Sequence, residues 1–368
     1  MFFKFRNICF GCAVLWATEA AAVNLAVMAP VRGDYAAAGD EIISGVRAAV
    51  DEINNNGGLN GEKINLIEVE DECNDSLAVS TAQMMALNSN GEYRVRTVIG
   101  PYCANRFQTV ADTFAKAGIF QIIPTGISES YADSTHSGLV KTVAYGKQQA
   151  KDFFEFYDAN FNWLPVAMIY DNNNADTAQA VQNEFVKHQK TENLHLYNYG
   201  EFGFDYNRIA AQALTDNTKA AFILGERQDI AQMASELKSQ KKRYKILTDK
   251  YQVGTDLTDT LGSAADGLYF MGLPSPTENP EFAETMVKLR LKGLELNGLA
   301  IYGYAAVNLW VDLAQKAGSF DYNKLASTLK SPDFNSEWGK LMFANGNLSN
   351  NIKYSVYQYK NGEYAQVY

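Results

Sequence analysis

The sequence is poor in the residues that carry chemistry. Three histidines (His136, His188, His195) and four cysteines occur in 368 residues, and the histidines fall in no HExxH or other paired-ligand spacing. A P-loop, a GxGxxG after the first candidate strand and a GxSxG elbow are all missing, which removes the usual signatures of phosphate binding and hydrolysis. No segment after residue 22 supplies the roughly 18 uninterrupted apolar residues of a membrane span. Positive charge is short too, with 32 Lys and Arg against 42 Asp and Glu, a net −10. That balance argues against nucleic acid as a partner, because such binding rests on neutralising phosphates. The one basic run, Lys238 to Lys245, reads as the solvated end of a helix. The acidic trio Glu70, Asp71 and Glu72 reads as a solvated loop. No catalytic constellation emerges, and neither an enzyme activity nor a cofactor is expected.

What is present begins with a secretory signal over residues 1–22. Lys4 and Arg6 give it a positive start, Ile8 to Trp16 an apolar stretch, and Ala20 to Ala22 a small-residue cleavage site. Its removal takes away Lys4, Arg6 and Glu19, leaving 30 basic against 41 acidic residues, a net −11. Cys9 and Cys12 go with it. Cys73 and Cys103 survive in a chain addressed to an oxidising compartment. A disulfide between them is the first reading, contributing ~3 to 4 kcal/mol by the chain-entropy estimate; a catalytic thiol is the second.

The body of the chain alternates strand and helix patterns. Val23 to Ala29 is a short apolar run suited to a buried strand. From Asp40, a plausible N-cap, Ile42, Val46, Ala49, Val50 and Ile53 recur at helical spacing until Gly57. Lys63 to Val69 carries apolar residues in both side-chain directions, as a strand covered on both faces does. Strands at 95–100 and 119–123 follow, with helices between. A second series runs helix 146–160, strand 166–170, helix 175–189, strand 194–199, helix 206–215, strand 220–224, helix 229–239, strand 245–247, strand 268–271, then helices 280–292 and 300–317. The tail reads as alternating strands at 340–343 and 353–359, with Asn-Gly turns at Asn345 and Asn361. This order predicts an α/β fold of two doubly wound parallel-sheet lobes with a ligand cleft between them. In open sheets of this kind ligands bind outside the carboxyl ends of the strands. The loops after Ala29, Gly100, Ile123, Tyr170 (with Asn172), Leu224 and Leu247 are therefore the candidate site.

The stretch GDEIISGVRAAVDEINNNGGLNGEKINLIEVEDECND, followed by VRTVIGPYCANRFQTVADTFAKAGIFQIIPTG, resembles the amino-terminal lobe of the leucine/isoleucine/valine-type periplasmic binding proteins. The similarity extends over most of the chain beyond residue 22 and is strongest from 23 to about 143. The resemblance implies a type I periplasmic binding fold with three crossings, near Val143, Asp266 and Asn335. The lobes would comprise 23–142 with 267–334, and 143–266 with 335–368. It also implies a monomeric periplasmic substrate-binding component of an ABC importer, which holds a small solute, branched-chain amino acid-like or a related amide or carboxylate, in the interlobe cleft and delivers it to permease subunits in the inner membrane. A sensor presenting its closed form to a signalling partner uses the same fold. The family disulfide joins the positions of Cys73 and Cys103.

For the ligand, relatives hold a carboxylate with a Ser after the second cysteine and with a turn after the fourth strand, and an acidic residue of the second lobe takes the ammonium. Here Ala104 replaces the Ser, the turn reads Pro124-Thr125-Gly126-Ile127-Ser128, and the acidic position falls at Lys250 beside Asp249. Thr125, Gly126 and Ser128, the backbone at Ala104 and Asn105, and Tyr35, Asn172 and Tyr251 are the expected ligand contacts. Arg227 with Lys250 would favour an acidic ligand; alternatively Glu226, Arg227 and Asp249 form an ion pair that shapes the cleft.

Overall fold

The computed structural model describes residues 22–33, 35–59, 61–91, 94–102, 107–124, 136–142, 146–225, 227–241, 243–249, 261–273, 283–294, 296, 298–330, 334–336, 339–341, 343–344, 347–348 and 353–368. The signal segment therefore lies outside the described residues, apart from Ala22.

The first sheet is built from β1 (Ala22–Ala29), β2 (Lys63–Glu70), β3 (Val95–Ile99), β4 (Phe120–Ile123) and β5 (Leu139–Lys141), with α1 (Ala36–Asn55), α2 (Asp75–Leu87) and α3 (Phe107–Lys116) between them. Its order is β2-β1-β3-β4-β5, every pair parallel. From Val23 to Ala29 every β1 residue is buried, as a central strand covered on both faces requires. β2 departs from the expectation of a doubly covered strand: it lies at the edge, and only Ile64 is fully buried in it. Helix α1 starts one turn before Asp40, which is an exposed residue inside it, and the N-cap is Tyr35.

The second series contains α4 (Gly146–Phe161), β6 (Val166–Tyr170), α5 (Ala175–Lys187), β7 (Leu194–Asn198), α6 (Tyr206–Thr215), β8 (Ala220–Ile223), α7 (Arg227–Gln240), β9 (Lys245–Thr248) and β10 (Tyr269–Gly272). The chain continues through α8 (Ala283–Leu291), α9 (Ala300–Ala317), α10 (Tyr322–Thr328), β11 (Phe334–Ser336), β12 (Gly339–Leu341), β13 (Phe343–Ala344), β14 (Asn347–Leu348), β15 (Ser355–Lys360) and β16 (Glu363–Gln366). The second sheet runs β16-β15-β10-β9-β8-β6-β7, parallel from β7 to β10 and closed on one side by the antiparallel β15 and β16. Asn361 and Gly362, both at positive φ, make the two-residue turn between those last strands.

Helix α9 carries the chain back onto the first lobe, where it packs along α1. The contact is backbone to backbone: a Cβ on Gly45 would lie 1.7 Å from the Ala300 carbonyl oxygen, and one on Gly303 would lie 2.3 Å from that of Ile42. Trp310 of α9 is fully buried in the same core.

Two expected crossings shift. β10 pairs with β9 and β15, so residues 269–272 belong to the second sheet and the chain leaves it after Gly272 rather than near Asp266. The return expected near Asn335 also comes later: Phe334 sits in the first core, β14 lies against β5, and the second sheet resumes only at β15. Local pattern marks where strands form but not which sheet accepts them. The basic run is also more than a solvated helix end, because Lys238 donates to the carbonyls of Ala264 (2.5 Å) and Asp266 (2.6 Å), tying α7 to the turn before β10.

Candidate functional site

In the first sheet the winding reverses between β1 and β3, so the segments after them diverge and leave a crevice at their carboxyl ends. One wall is braced by Glu70, the last residue of β2. Its carboxylate accepts from the Val31 N–H (3.0 and 3.1 Å) and the Glu72 N–H (2.7 Å), and meets the Arg32 Nε at 3.4 Å. Burial pushes the Glu70 pKa up, but these bonds outweigh it and leave the carboxyl below its ordinary range. Asp71 beside it is 0% exposed. Its Oδ1 accepts from the Cys73 N–H at 3.0 Å, and its Oδ2 has no partner. Burial raises its pKa to about 6, the Cys73 bond opposing and the Glu70 charge adding. Of the trio 70–72 only Glu72 is solvated: Glu70 clamps backbone and Asp71 is enclosed. The rings of Tyr35, after β1, and Tyr102, after β3, stand 6.3 Å apart at 56°.

The second sheet reverses in the same way between β6 and β8. After β6, Asp171 caps the following turn through the Asn174 N–H (2.9 Å), and Asn172 accepts from the Asn198 amide at 2.6 Å. Asn198 in turn accepts from the Gly200 N–H at 2.9 Å, so the loops after β6 and β7 are held as one unit. After β8, Asp229 in the first turn of α7 accepts from Tyr206 Oη (2.5 Å) and Tyr199 Oη (3.3 Å). Both phenols are held protonated by burial first, then by nearby carboxylates: Asp171 and Asp229 for Tyr199, and Asp229 for Tyr206. A carboxylate has about four lone-pair sites, so two phenol donors leave it acceptor capacity for a third group.

The chain is fastened within each lobe just before and just after residues 143–145. Lys141 and Thr142 are buried at the end of β5, and the Thr142 N–H donates to the Ile123 carbonyl at 3.1 Å. Asp152, 2% exposed, accepts from the Tyr354 N–H (2.8 Å) and the Gln148 amide (2.6 Å). Burial raises the Asp152 pKa to about 6, against those two bonds. Lys353 reaches Glu155 at 3.2 Å, so two contacts fix the entry to β15.

The sequence profile of the periplasmic binding proteins matches residues 22–363. The chain belongs to that family. A Leu/Ile/Val-binding protein homolog of Brucella abortus is 25% identical over 366 residues, covering 98% of this chain and 96% of the relative. Among solved structures, the leucine binding protein LivK of Thermotoga maritima superposes with a TM-score of 0.76 at 20% identity, over 94% of this chain and 98% of that one. The branched-chain amino acid transporter substrate binding protein LivJ of Streptococcus pneumoniae, solved with isoleucine, gives 0.74 at 18% identity, over 94% and 99%. These relatives are binding proteins rather than enzymes, and the two-lobed type I fold of LivK and LivJ is the fold of this chain.

Of the contacts expected in this periplasmic binding protein, Tyr35 lies at the first crevice and Asn172 at the second, where the Asn172 side-chain oxygen is engaged by Asn198. Arg227 opens α7 at the carboxyl end of β8. Ala104, Asn105, Thr125, Gly126, Ser128, Lys250 and Tyr251 lie outside the described residues, as does Cys103. Sequence reasoning missed Tyr102, Tyr199, Tyr206 and Asp229. Tyr102 had a signal, since it directly precedes Cys103 in a strand-end loop already singled out. Asp229 had none: its tyrosine partners are 23 and 30 residues away and meet it only because β7 and β8 flank β6. Among the described residues no three His, Cys, Asp or Glu side chains gather as a metal site, and no helix is long and apolar enough to cross a membrane.

Proposed function

We propose that this protein is the periplasmic substrate-binding component of an ABC importer, holding a small solute between its lobes and presenting the closed form to permease subunits. The observation that carries the reading is the pairing of two doubly wound sheets, each with polar and aromatic side chains at the carboxyl-end crevice where ligands of open sheets bind. Closure is driven only by the extra affinity of solute for the closed form. Family membership and relatives that bind amino acids support a zwitterionic or closely related ligand. In that role Asp229, held by Tyr199 and Tyr206, is the second-lobe acid that meets the ammonium, which relieves the difficulty of Lys250 at the expected acidic position. The carboxylate end goes to the Thr125 to Ser128 turn and to the backbone at Ala104 and Asn105.

Secretion through a cleaved signal at residues 1–22 and a monomeric state belong to the same reading. So do lobes of 23–142 with about 283–348 and 146–272 with 355–368. A Cys73–Cys103 disulfide is supported by Cys73 having no free thiol. Replacing Cys73 with Ser is expected to cost about 2 to 4 kcal/mol in urea unfolding, against no change if no bond exists.

The test is a thermal-shift screen of purified protein with amino acids, amides, dicarboxylates and aromatic acids. A binder present at 100 times its Kd raises stability by about 2.7 kcal/mol. A response to at least one solute, with compaction in small-angle scattering, is expected; no response to any class would defeat the proposal.

A further inference from the structure

The basic run Lys238 to Lys245 lies with Lys219 at the amino ends of β8 and β9, and in this parallel part of the second sheet the solute crevice opens at the opposite ends. Lys219 directly precedes β8 and Lys245 opens β9, joined by the bond from the Lys245 N–H to the Lys219 carbonyl at 3.3 Å. The Lys219 N–H donates to the Pro165 carbonyl at 2.7 Å, which brings Trp163, with the Lys190 amine 4.4 Å over its ring, to the same pole. Neutral groups hold three of these amines: the Asn217 side-chain oxygen for Lys219, the Asn160 carbonyl (3.1 Å) and the Phe161 ring (4.8 Å) for Lys245, and Trp163 for Lys190. Lys219 also comes within hydrogen-bonding reach of the Lys241 amine, whose pKa is lowered by burial first and then by this like charge. Arg243 is exposed beside them. Among the described residues, Lys190, Lys219, Lys241, Arg243 and Lys245 have no carboxylate partner. The carboxylates of this pole are turned elsewhere: Asp158 and Glu192 act on the Tyr157 hydroxyl, which donates to the Leu164 carbonyl, and Asp216 accepts from Tyr197 and Gln212.

Lysines held by carbonyls and rings keep their full charge for an outside anion, having already lost part of the rotamer freedom that binding would otherwise remove. The chain as a whole is acidic, with a net −10, but charges more than about 8 Å away are screened at physiological salt, so the cations at the point of contact dominate. A flat anionic surface asks for basic residues spread over one pole and for no pocket, and a tryptophan beside lysine suits the headgroup level of a bilayer. We infer that the amino-end pole of the second lobe, through Lys190, Lys219, Lys241, Arg243 and Lys245, is a docking surface for an anionic phospholipid bilayer. Each basic residue at such a surface strengthens partition about fivefold, so the contact is reversible. It leaves the crevice at the other end of the sheet uncovered, whichever solute that crevice holds.

The test is co-sedimentation of the purified protein with vesicles of phosphatidylglycerol mixed into phosphatidylcholine, and with vesicles of phosphatidylcholine alone. Partition onto the anionic vesicles is expected to be stronger by about tenfold or more and to fall as salt is raised. Lys219→Gln combined with Lys241→Gln should weaken it about 25-fold. Lys324→Gln combined with Lys330→Gln removes the same charge from exposed positions of the first lobe and should weaken it by about twofold or less. Thermal midpoints matching wild type in both double variants separate lost docking from a folding defect. Equal partition onto both kinds of vesicle, or equal weakening in the two double variants, overturns the inference. So does full release by millimolar inorganic phosphate at constant ionic strength, which would mark a site for a small anion. None of these results bears on the solute screen, so the two readings fail separately.

Discussion

The two lobes share a winding order but are filled and furnished differently. In the first, the sheet and the α1–α9 pair enclose a largely aliphatic core around Val27, Ile42, Val46, Ile122 and Leu309, and the helices touch through glycines. In the second, α4 lays Phe153, Phe154, Phe156, Tyr157 and Phe161 on the sheet, with Phe153 stacked on Phe222 at 4.3 Å. The crevices differ as well: a carboxylate bracing backbone beside a tilted pair of tyrosine rings in one, a carboxylate held by two phenols in the other. The winding fixes where a crevice opens, and the side chains placed there decide what it holds.

Breaking each core separately gives the largest effects. Gly45→Val puts side-chain atoms on the Ala300 carbonyl, and loss of the folded first lobe is expected, beyond the roughly 1 to 3 kcal/mol of ordinary overpacking, because backbone cannot yield as a side chain does. Phe153→Ala leaves a cavity in the second lobe and should cost about 3 to 5 kcal/mol with the fold retained. Urea unfolding with near-ultraviolet circular dichroism distinguishes the two results. Equal, mild losses would mean that the α1–α9 contact is looser than the backbone distances say.

Protonation sharpens the comparison at the next level. Asp71 in the first lobe and Asp152 in the second both have folded pKa values raised to about 6 from 3.8. Between those values the folded state binds more protons than the unfolded chain, so each group makes stability fall as pH rises from about 4 to 6. The slope approaches about 1.4 kcal/mol per pH unit for each, with a ceiling near 3 kcal/mol. Urea midpoints across pH 4 to 7 should therefore rise on acidification until Glu70, Glu52 and Asp112, whose carboxyls are held below their ordinary range, begin to protonate and reverse the trend. Asp71→Asn and Asp152→Asn should each remove about half of the rise; a flat profile in wild type would show that neither carboxyl is as enclosed as its burial indicates.

The smallest change is Tyr206→Phe. It removes one donor from Asp229 and should cost about 1 kcal/mol of stability. Its effect on solute affinity should be larger for ligands with an ammonium than for those without. An equal shift for every ligand would mean that Asp229 does not meet the ammonium.

Much of this was readable from residue order. The strand at 166–170 and the helices at 206–215 and 300–317 match their predicted spans, because each has a clear period and an unambiguous stop. The short strand β5 and the helix α10 escaped notice: three residues carry no period, and α10 depends on Asp321 capping it and on the Tyr322 hydroxyl bonding Gly138. β2 looked doubly covered because its apolar residues point both ways, but an edge position leaves most of them half exposed. Around the candidate site, Asp71 looked exposed by composition and proved to be enclosed, because burial depends on what packs over the end of β2 and not on the residue type.

The sequence by itself determined the alternation of strands and helices, the absence of catalytic and metal constellations in its motifs, and the family resemblance, since period, punctuation and motif are properties of neighbouring residues. Only the tertiary structure decided which sheet receives β10, which carboxylates are enclosed, and which tyrosines meet at the crevices. Those outcomes depend on contacts between segments tens to hundreds of residues apart, whose energies exist only once the lobes have packed.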